Sequence, residues 1–387
     1  MTETVDYVVI GLGALGSATA YQLASRGLRV LGLERFGLGH VNGASHDTSR
    51  IVRRSYHTPG YVRLAGEAYD DWADLGEAAG APLVVTTGGI DLFPPDAAIP
   101  MADYTDSLTA CGVPFDVLDP ATVAQRWPRV RLPEGGLALH QADTGMVHAA
   151  ATVATLHRLA RDRGAELRDN TPARVLTADS SGVTVATPSG EIHCGRVVVT
   201  ADAWTNDVVS GVDVRLPLTV TQEQVTYFAP DSPADFAPGA FPVWIWMDDP
   251  SFYGFPTFGE AGVKAGQDVG GATTTGDDRD FAPDPANTAQ LTRFMAATFP
   301  GSAAQVLRTV TCLYTLTPDR DFVMSALPSH PAVVMGLGAG HGFKFTPTFG
   351  RILADLATDG RTTSDVDAFS FDRPALTDAA HPVSWLV

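Results

Sequence analysis

Cysteine is sparse in this chain. Only Cys111, Cys194 and Cys312 occur among 387 residues, and they lie far apart. They form no CxxC pair and no even framework, so neither a disulfide scaffold nor a zinc site is indicated, and no metal is expected. Long apolar runs are also lacking: none approaches the ~20 residues needed to cross a bilayer. Positive charge is in short supply, with Lys+Arg at 26 against Asp+Glu at 44 and a formal net charge of −18. That balance argues against nucleic acid or an anionic membrane as the main partner. No basic segment precedes the first strand pattern, so no signal peptide is expected and a cytoplasmic protein is the default. The final Ser384-Trp385-Leu386-Val387 is no peroxisomal address.

Lysine is the scarcest charged residue. Lys264 and Lys344 are the only two, and the other 24 basic residues are arginine. Abundant Arg with Ala, Gly, Pro and Asp is the drift expected of a GC-rich genome. A lysine that survives it is a candidate for work that needs a compact ammonium with an adjustable pKa, not a planar fork. At 45% hydrophobic and 18% charged, the chain can bury a core and is not disordered. Its length suits two domains, or three small ones.

The first motif starts near the N-terminus. Asp6-Tyr7-Val8-Val9-Ile10 is a short buried-strand run leading into Gly11-Leu12-Gly13-Ala14-Leu15-Gly16. A helical pattern follows from Ser17 to Arg26, Gly27 ends it, and a second strand, Leu28 to Leu33, closes on Glu34. The glycines permit a tight turn, close approach of a pyrophosphate and close helix packing. The helix N-terminus offers free N–H groups to phosphates. Glu34, 18 residues after Gly16, is spaced to accept from a ribose hydroxyl. A GxGxxG alone is weak. With these strands and the terminal acid it reads as a dinucleotide unit, though it does not separate FAD from NAD. Candidate cofactor contacts are Gly11, Gly13, Ala14, Leu15, Gly16, Glu34, Arg35 and, in the polar stretch 37–47, Ser45.

Further along, periodicity predicts helices over 61–80, 148–163 and 288–300. Strands are expected over 83–93, 167–200, 213–228 and 239–270, with Val175 placed where a dinucleotide's adenine would lie. A last strand, Ala332 to Met335, runs into Gly336-Leu337-Gly338-Ala339-Gly340-His341-Gly342-Phe343-Lys344-Phe345, and a final helix follows with Thr346 as N-cap and Pro347 at its first position. The expected fold is α/β (α+β): a Rossmann-like, FAD-binding domain assembled from residues 1–85, 145–212 and 325–387. A β-rich substrate domain is inserted as 86–144 and 213–324. Such interleaving is commoner in FAD oxidases than in nicotinamide dehydrogenases.

At this point the motifs resemble the monomeric sarcosine oxidase family, which includes N-methyltryptophan oxidase. The resemblance covers nearly the whole chain. It rests on the glycine turn with Glu34, on Asn42-Gly43 through His46 to Ser49-Arg50-Ile51-Val52-Arg53, and on Phe252-Tyr253-Gly254-Phe255-Pro256 with Gly262-Val263-Lys264. It also rests on Cys312-Leu313-Tyr314-Thr315 with Pro318-Asp319, and on Gly340 to Lys344. The resemblance implies FAD held by a thioether, with Cys312 at the matching position, whereas a free cysteine on its own reads as a small buried hydrophobe. It implies oxidation of the C–N bond of a secondary amino acid with a free carboxylate, imine hydrolysis, and reduction of O2 to hydrogen peroxide by a monomeric enzyme. Arg53 and Lys344 match the pair that fixes the substrate carboxylate. Lys264 matches a lysine on the flavin's other face, where a fixed ammonium stabilises the anion formed when O2 takes its first electron. His46 and Arg50 match positions flanking the ring, and Tyr253 and Tyr314 match pocket tyrosines. Gly340, Gly342, Phe343 and the start of the last helix supply N–H groups near the reduced ring.

The chain also departs from that pattern. Asp268 stands where the sarcosine-type enzymes carry a pocket histidine. An acid there either pairs with an extra cation on the substrate or faces solvent. Trp244 and Trp246 add bulk near the expected pocket: Trp246 is a candidate for the substrate wall, while the core of the β domain is the favoured place for the pair. The expected substrate is therefore larger than sarcosine, a cyclic or side-chain-bearing N-substituted amino acid. Three rivals remain: an NAD-dependent dehydrogenase, an FAD-dependent amino-acid dehydrogenase that passes electrons to a partner, and a non-enzymatic binding protein.

Overall fold

The computed structural model of the chain describes residues 3–384; Trp385, Leu386 and Val387 of the terminal tetrapeptide lie outside them. The first strand, Glu3–Ile10, is the centre of an eight-stranded sheet. It pairs in parallel with Val30–Leu33 on one side and Gly190–Val199 on the other. His330–Leu337 adds to Gly190–Val199, and Glu166–Arg168 to Val30–Leu33, again in parallel. Parallel strands buried on both faces are near-continuous runs of Val, Ile and Leu, and Val8, Val9, Val197, Val198, Val333 and Val334 are all fully buried.

Helices cover one face of this sheet. Ala14–Ser25 packs between Ala149–Asp162 and Thr346–Asp359. The last of these contacts is close because Gly350 lies against Ala18: a Cβ on Gly350 would fall 2.5 Å from the Ala18 methyl. The final helix begins one residue before the expected start. Phe345 is its N-cap and Thr346 is already helical, with its hydroxyl donating to Phe343 O at 2.6 Å. The physical reason is the 3-10 turn Gly342–Phe345, which runs straight into the helix and leaves no extended residue to act as a side-chain cap.

The second sheet has nine strands, all drawn from residues 89–141 and 219–316. Its far face buries Trp244, Phe236, Phe241, Phe252 and Phe299 against the helix Pro285–Thr298. Trp244 lies flat over Gly254, its cross-strand partner, where a Cβ would fall 2.3 Å from the indole. The near face turns toward the first sheet. Two-residue alternation along each strand therefore decides which side chains meet the space between the sheets. Among the described residues no helix is long and apolar enough to cross a membrane.

Candidate active site

A cavity of about 770 Å3 runs from the glycine turn at Gly11–Leu15 to the near face of the second sheet. Its wall at the dinucleotide end is made by tight backbone contacts. Gly11 has a φ of +92°, and a Cβ on it would meet Thr200 O at 2.6 Å. A Cβ on Gly16 would fall 1.8 Å from Gly11 O, so Gly16 serves the packing of turn on helix and does not line the cavity. Glu34 is buried. It accepts from Leu12 N–H at 2.8 Å, from Phe36 N–H at 3.0 Å and from His40 Nε2 at 3.2 Å. Burial pushes its pKa up, but these partners outweigh burial and hold it below the usual range. A carboxylate has about four acceptor sites, so one more donor can be taken. Ser45 Oγ accepts the Ala14 N–H at 2.9 Å and pins the loop to the helix start. Arg35 also lines this end. Val175 does not: it is fully buried in the core beside Val185, and Ala173 and Arg174 reach the cavity in its place.

The middle of the cavity suits a flat, hydrogen-bonding ring system. His46 Nε2 and Ser49 Oγ are buried there and have no hydrogen-bond partner among the described residues. Burial and the neighbouring Arg50 take the His46 pKa down to about 4, so the ring is neutral at pH 7. Arg50 donates to Ala44 O at 2.8 Å and His46 O at 3.0 Å, and its guanidinium stands 5.7 Å from the Phe343 ring. The glycine cradle, these orphaned polar atoms and the open stretch between them fit FAD.

Cys312 and Tyr314 alternate along Gln305–Leu316, and Tyr253 and Phe255 along Phe252–Phe255; all four face the cavity. Burial pushes the Cys312 thiol up, while Arg50, Lys264 and Arg279 pull it back. Arg279 donates to Thr311 O and, at 2.9 and 2.8 Å, to Val41 O and Asn42 O, which ties the glycine-rich loop to the strand that carries Cys312. The Tyr253 and Tyr314 hydroxyls lie 3.5 Å apart, and burial pushes both pKa values well up, so both keep their protons.

Both lysines line the cavity, with different surroundings. Lys264, 2% exposed, makes an ion pair with Asp47 at 2.9 Å and donates to Ser49 O at 3.0 Å. Burial and Arg50 bring its pKa down to about 8 against the pull of Asp47. Lys344 donates to His341 O at 3.0 Å. Burial and then Arg53 lower its pKa well below the ordinary value. Lys344 Nζ and the Arg53 guanidinium both stand over the Tyr56 ring, at 5.7 and 4.8 Å, so they share one corner of the cavity.

Asp268 and Trp246, like Gly16 and Val175, stand otherwise than expected. Asp268 lines the cavity and is half-buried, but its carboxylate is already engaged: Arg320, 2% exposed, clasps it through two bonds of 2.7 and 2.6 Å. Trp246 does not reach the cavity. Strand alternation turns Ile245 inward and puts Trp246 against Phe294, with ring centroids 5.4 Å apart. Sequence reasoning also missed Arg320, Asp91 and Asp47. Asp91 is buried 3.4 Å from Arg53 Nη1. Its only signal was an acid alternating with Ile90 and Leu92 inside a strand run. Asp47 lay unmarked in a polar loop, and its partner Lys264 is 217 residues away.

A family model described as FAD dependent oxidoreductase matches residues 6–356. A monomeric sarcosine oxidase from Streptomyces avermitilis is 33% identical over 98% of this chain and 100% of its own length. An N-methyl-L-tryptophan oxidase from Salmonella heidelberg is 29% identical over 95% of this chain and 98% of its own. The solved structure of NikD, an unusual amino acid oxidase essential for nikkomycin biosynthesis, superposes with a TM-score of 0.85 at 27% identity, covering 95% of this chain and 98% of that one. A flavin-sized cavity ending at an Arg–Lys corner and this agreement over the full length lead to one conclusion: the chain belongs to the FAD-dependent oxidoreductases, among the sarcosine oxidase-like amine oxidases.

Proposed function

We propose that the protein oxidises the C–N bond of a secondary amino acid and is re-oxidised by O2. FAD, when bound, supplies the acceptor for a hydride equivalent from the carbon next to nitrogen and returns the electrons to O2 as hydrogen peroxide, while water hydrolyses the imine. Gly11 to Leu15, Glu34, Arg35 and Ser45 would hold its dinucleotide part. His46, Arg50, Gly340, Gly342 and Phe343 would surround the ring, and Cys312 would attach it covalently. The observation that carries this reading is the placement of Arg53 and Lys344 over one tyrosine ring at the far end of the same cavity. Arg53 Nε is buried there and has no hydrogen-bond partner among the described residues. Its charge-assisted fork suits a substrate carboxylate, and that carboxylate is the counter-ion that would keep the buried Lys344 protonated beside it. Tyr253 and Tyr314 present neutral hydroxyls to the substrate. Lys264, held on Asp47 and Ser49 O, presents a fixed ammonium for the anionic steps of O2 reduction.

The substrate reading also narrows. Asp268 and Asp91, the acids nearest the Arg53–Lys344 corner, are each paired with an arginine, which disfavours an extra cation on the substrate there. A neutral side chain or ring on the amino acid fits best. The segregation of the two sheets supports the proposed division into an FAD-binding unit (1–85, 145–212, 325–387) and a substrate unit (86–144, 213–324). We further propose that the protein works as a cytoplasmic monomer. Peroxide release measured over a panel of N-methyl, N-alkyl and cyclic amino acids tests the function. Turnover is expected to be highest for a cyclic or side-chain-bearing member. Highest turnover with sarcosine would refute the substrate reading, and substrate-driven flavin reduction without peroxide would favour a dehydrogenase.

A further inference from the structure

Asp47 lies in the glycine-rich loop that precedes the Ser49–Val52 strand, and its backbone takes a φ of +74°. That left-handed conformation is uncommon outside glycine; it turns the carboxylate inward onto three donors. Oδ2 is 2.9 Å from Lys264 Nζ and accepts from Tyr227 OH at 2.7 Å; Oδ1 is 2.9 Å from Arg308 Nη2. Arg308 in turn holds Glu260. The Arg308 side chain is 39% exposed and Lys264 2%, so this row of alternating charges runs from a buried ammonium to solvent. The charged and titratable groups around Lys264 are Asp47, Arg50, His46 and Cys312, with the Tyr227 ring at 5.7 Å and Arg308 behind Asp47. A buried lysine without a counter-ion sheds its proton. Arg50 adds like charge, and Asp47 is the carboxylate in contact with Nζ.

We propose that Asp47 is the positioning residue that sets the charge of Lys264, and that Arg308 limits its effect by competing for the same carboxylate. The consequence for catalysis, though not the electrostatics, rests on reading Lys264 as the cation that faces dioxygen. Two opposite shifts follow. Asp47→Asn removes the anion, and the Lys264 titration midpoint falls. Arg308→Gln removes the competing cation, and the midpoint rises.

The chain has only two lysines, so the holoenzyme grown with lysine carrying 13C at Cε gives two lysine signals, and the one lost in Lys264→Met belongs to Lys264. Titration of that signal should show a midpoint lower by about one pH unit or more in Asp47→Asn and higher in Arg308→Gln. An unmoved midpoint in Asp47→Asn, or the same direction in both variants, overturns the proposal. Because Arg308 is partly exposed, its variant decides the matter if Asp47→Asn does not fold: a midpoint that fails to rise there also overturns it. The rate of re-oxidation by O2, followed across the same pH range, should fall off at the lysine midpoint of each protein. If the lysine signal moves as expected and that rate profile does not follow, Asp47 keeps its role and Lys264 loses the one assigned in oxygen chemistry.

Discussion

Lys264, Arg53 and Arg320 each have a resident carboxylate partner, and what else each can still reach separates their jobs. Arg53 shares its guanidinium with Asp91 and Ser55, the latter at 3.3 Å, and its buried Nε has no hydrogen-bond partner among the described residues. Arg53→Met should therefore weaken amino-acid binding by about 2–5 kcal/mol, measured as a rise in the dissociation constant for a competitive carboxylate inhibitor; an unchanged constant would place the carboxylate elsewhere. Arg320, by contrast, is spent on Asp268. Asp268→Ala takes two charge-assisted hydrogen bonds from the buried Arg320 and should lower stability by roughly 3 kcal/mol, read from the urea midpoint. Cys312→Ala should leave flavin that is released on acid precipitation, and flavin still bound to the chain would put the attachment at another residue. At this scale the two lysines and Cys312 were legible because rare residue types stand out and sit on recognisable motifs. Asp47, Asp91 and Arg320 were not, since acids and arginines are common here and their partners are fixed only by tertiary contact.

Strands and helices were easier to read than the contacts they make. The Glu3–Ile10 strand, the glycine turn and the Ala14–Ser25 helix follow directly from an apolar run, three glycines and a helical period. The face of each β strand was harder, as Trp246 shows: in a run of alternating aromatics and aliphatics both faces are apolar, so periodicity alone does not say which one meets the cavity. Packing between Trp244 and Gly254 settles it. Helix contacts carry a prediction of their own. At Gly350 the helix Thr346–Asp359 touches the helix Ala14–Ser25 with no room for a methyl group. Gly350→Ala should destabilise the fold by roughly 1–3 kcal/mol through overpacking, as a lower denaturation midpoint. Unchanged stability would mean that the helices separate freely.

Across the whole molecule, the arrangement places a dinucleotide-binding sheet and a substrate-facing sheet on either side of one cavity. The interleaving of segments was legible from where the strand and glycine motifs fall. The cavity itself was not, because it is enclosed by residues from many separate stretches along almost the whole chain, from Ile10 to Lys344. Its central feature is a separation of duties: Lys344 sits with Arg53 at the carboxylate corner, and Lys264 sits on Asp47 beside Cys312 and Arg50. Anaerobic reduction of the flavin by amino acid and its re-oxidation by O2, timed separately in Lys344→Met and Lys264→Met, test this most directly. Lys344→Met should lose reduction and keep re-oxidation, and Lys264→Met should do the reverse. Equal loss of both half-reactions in both variants would contradict the account.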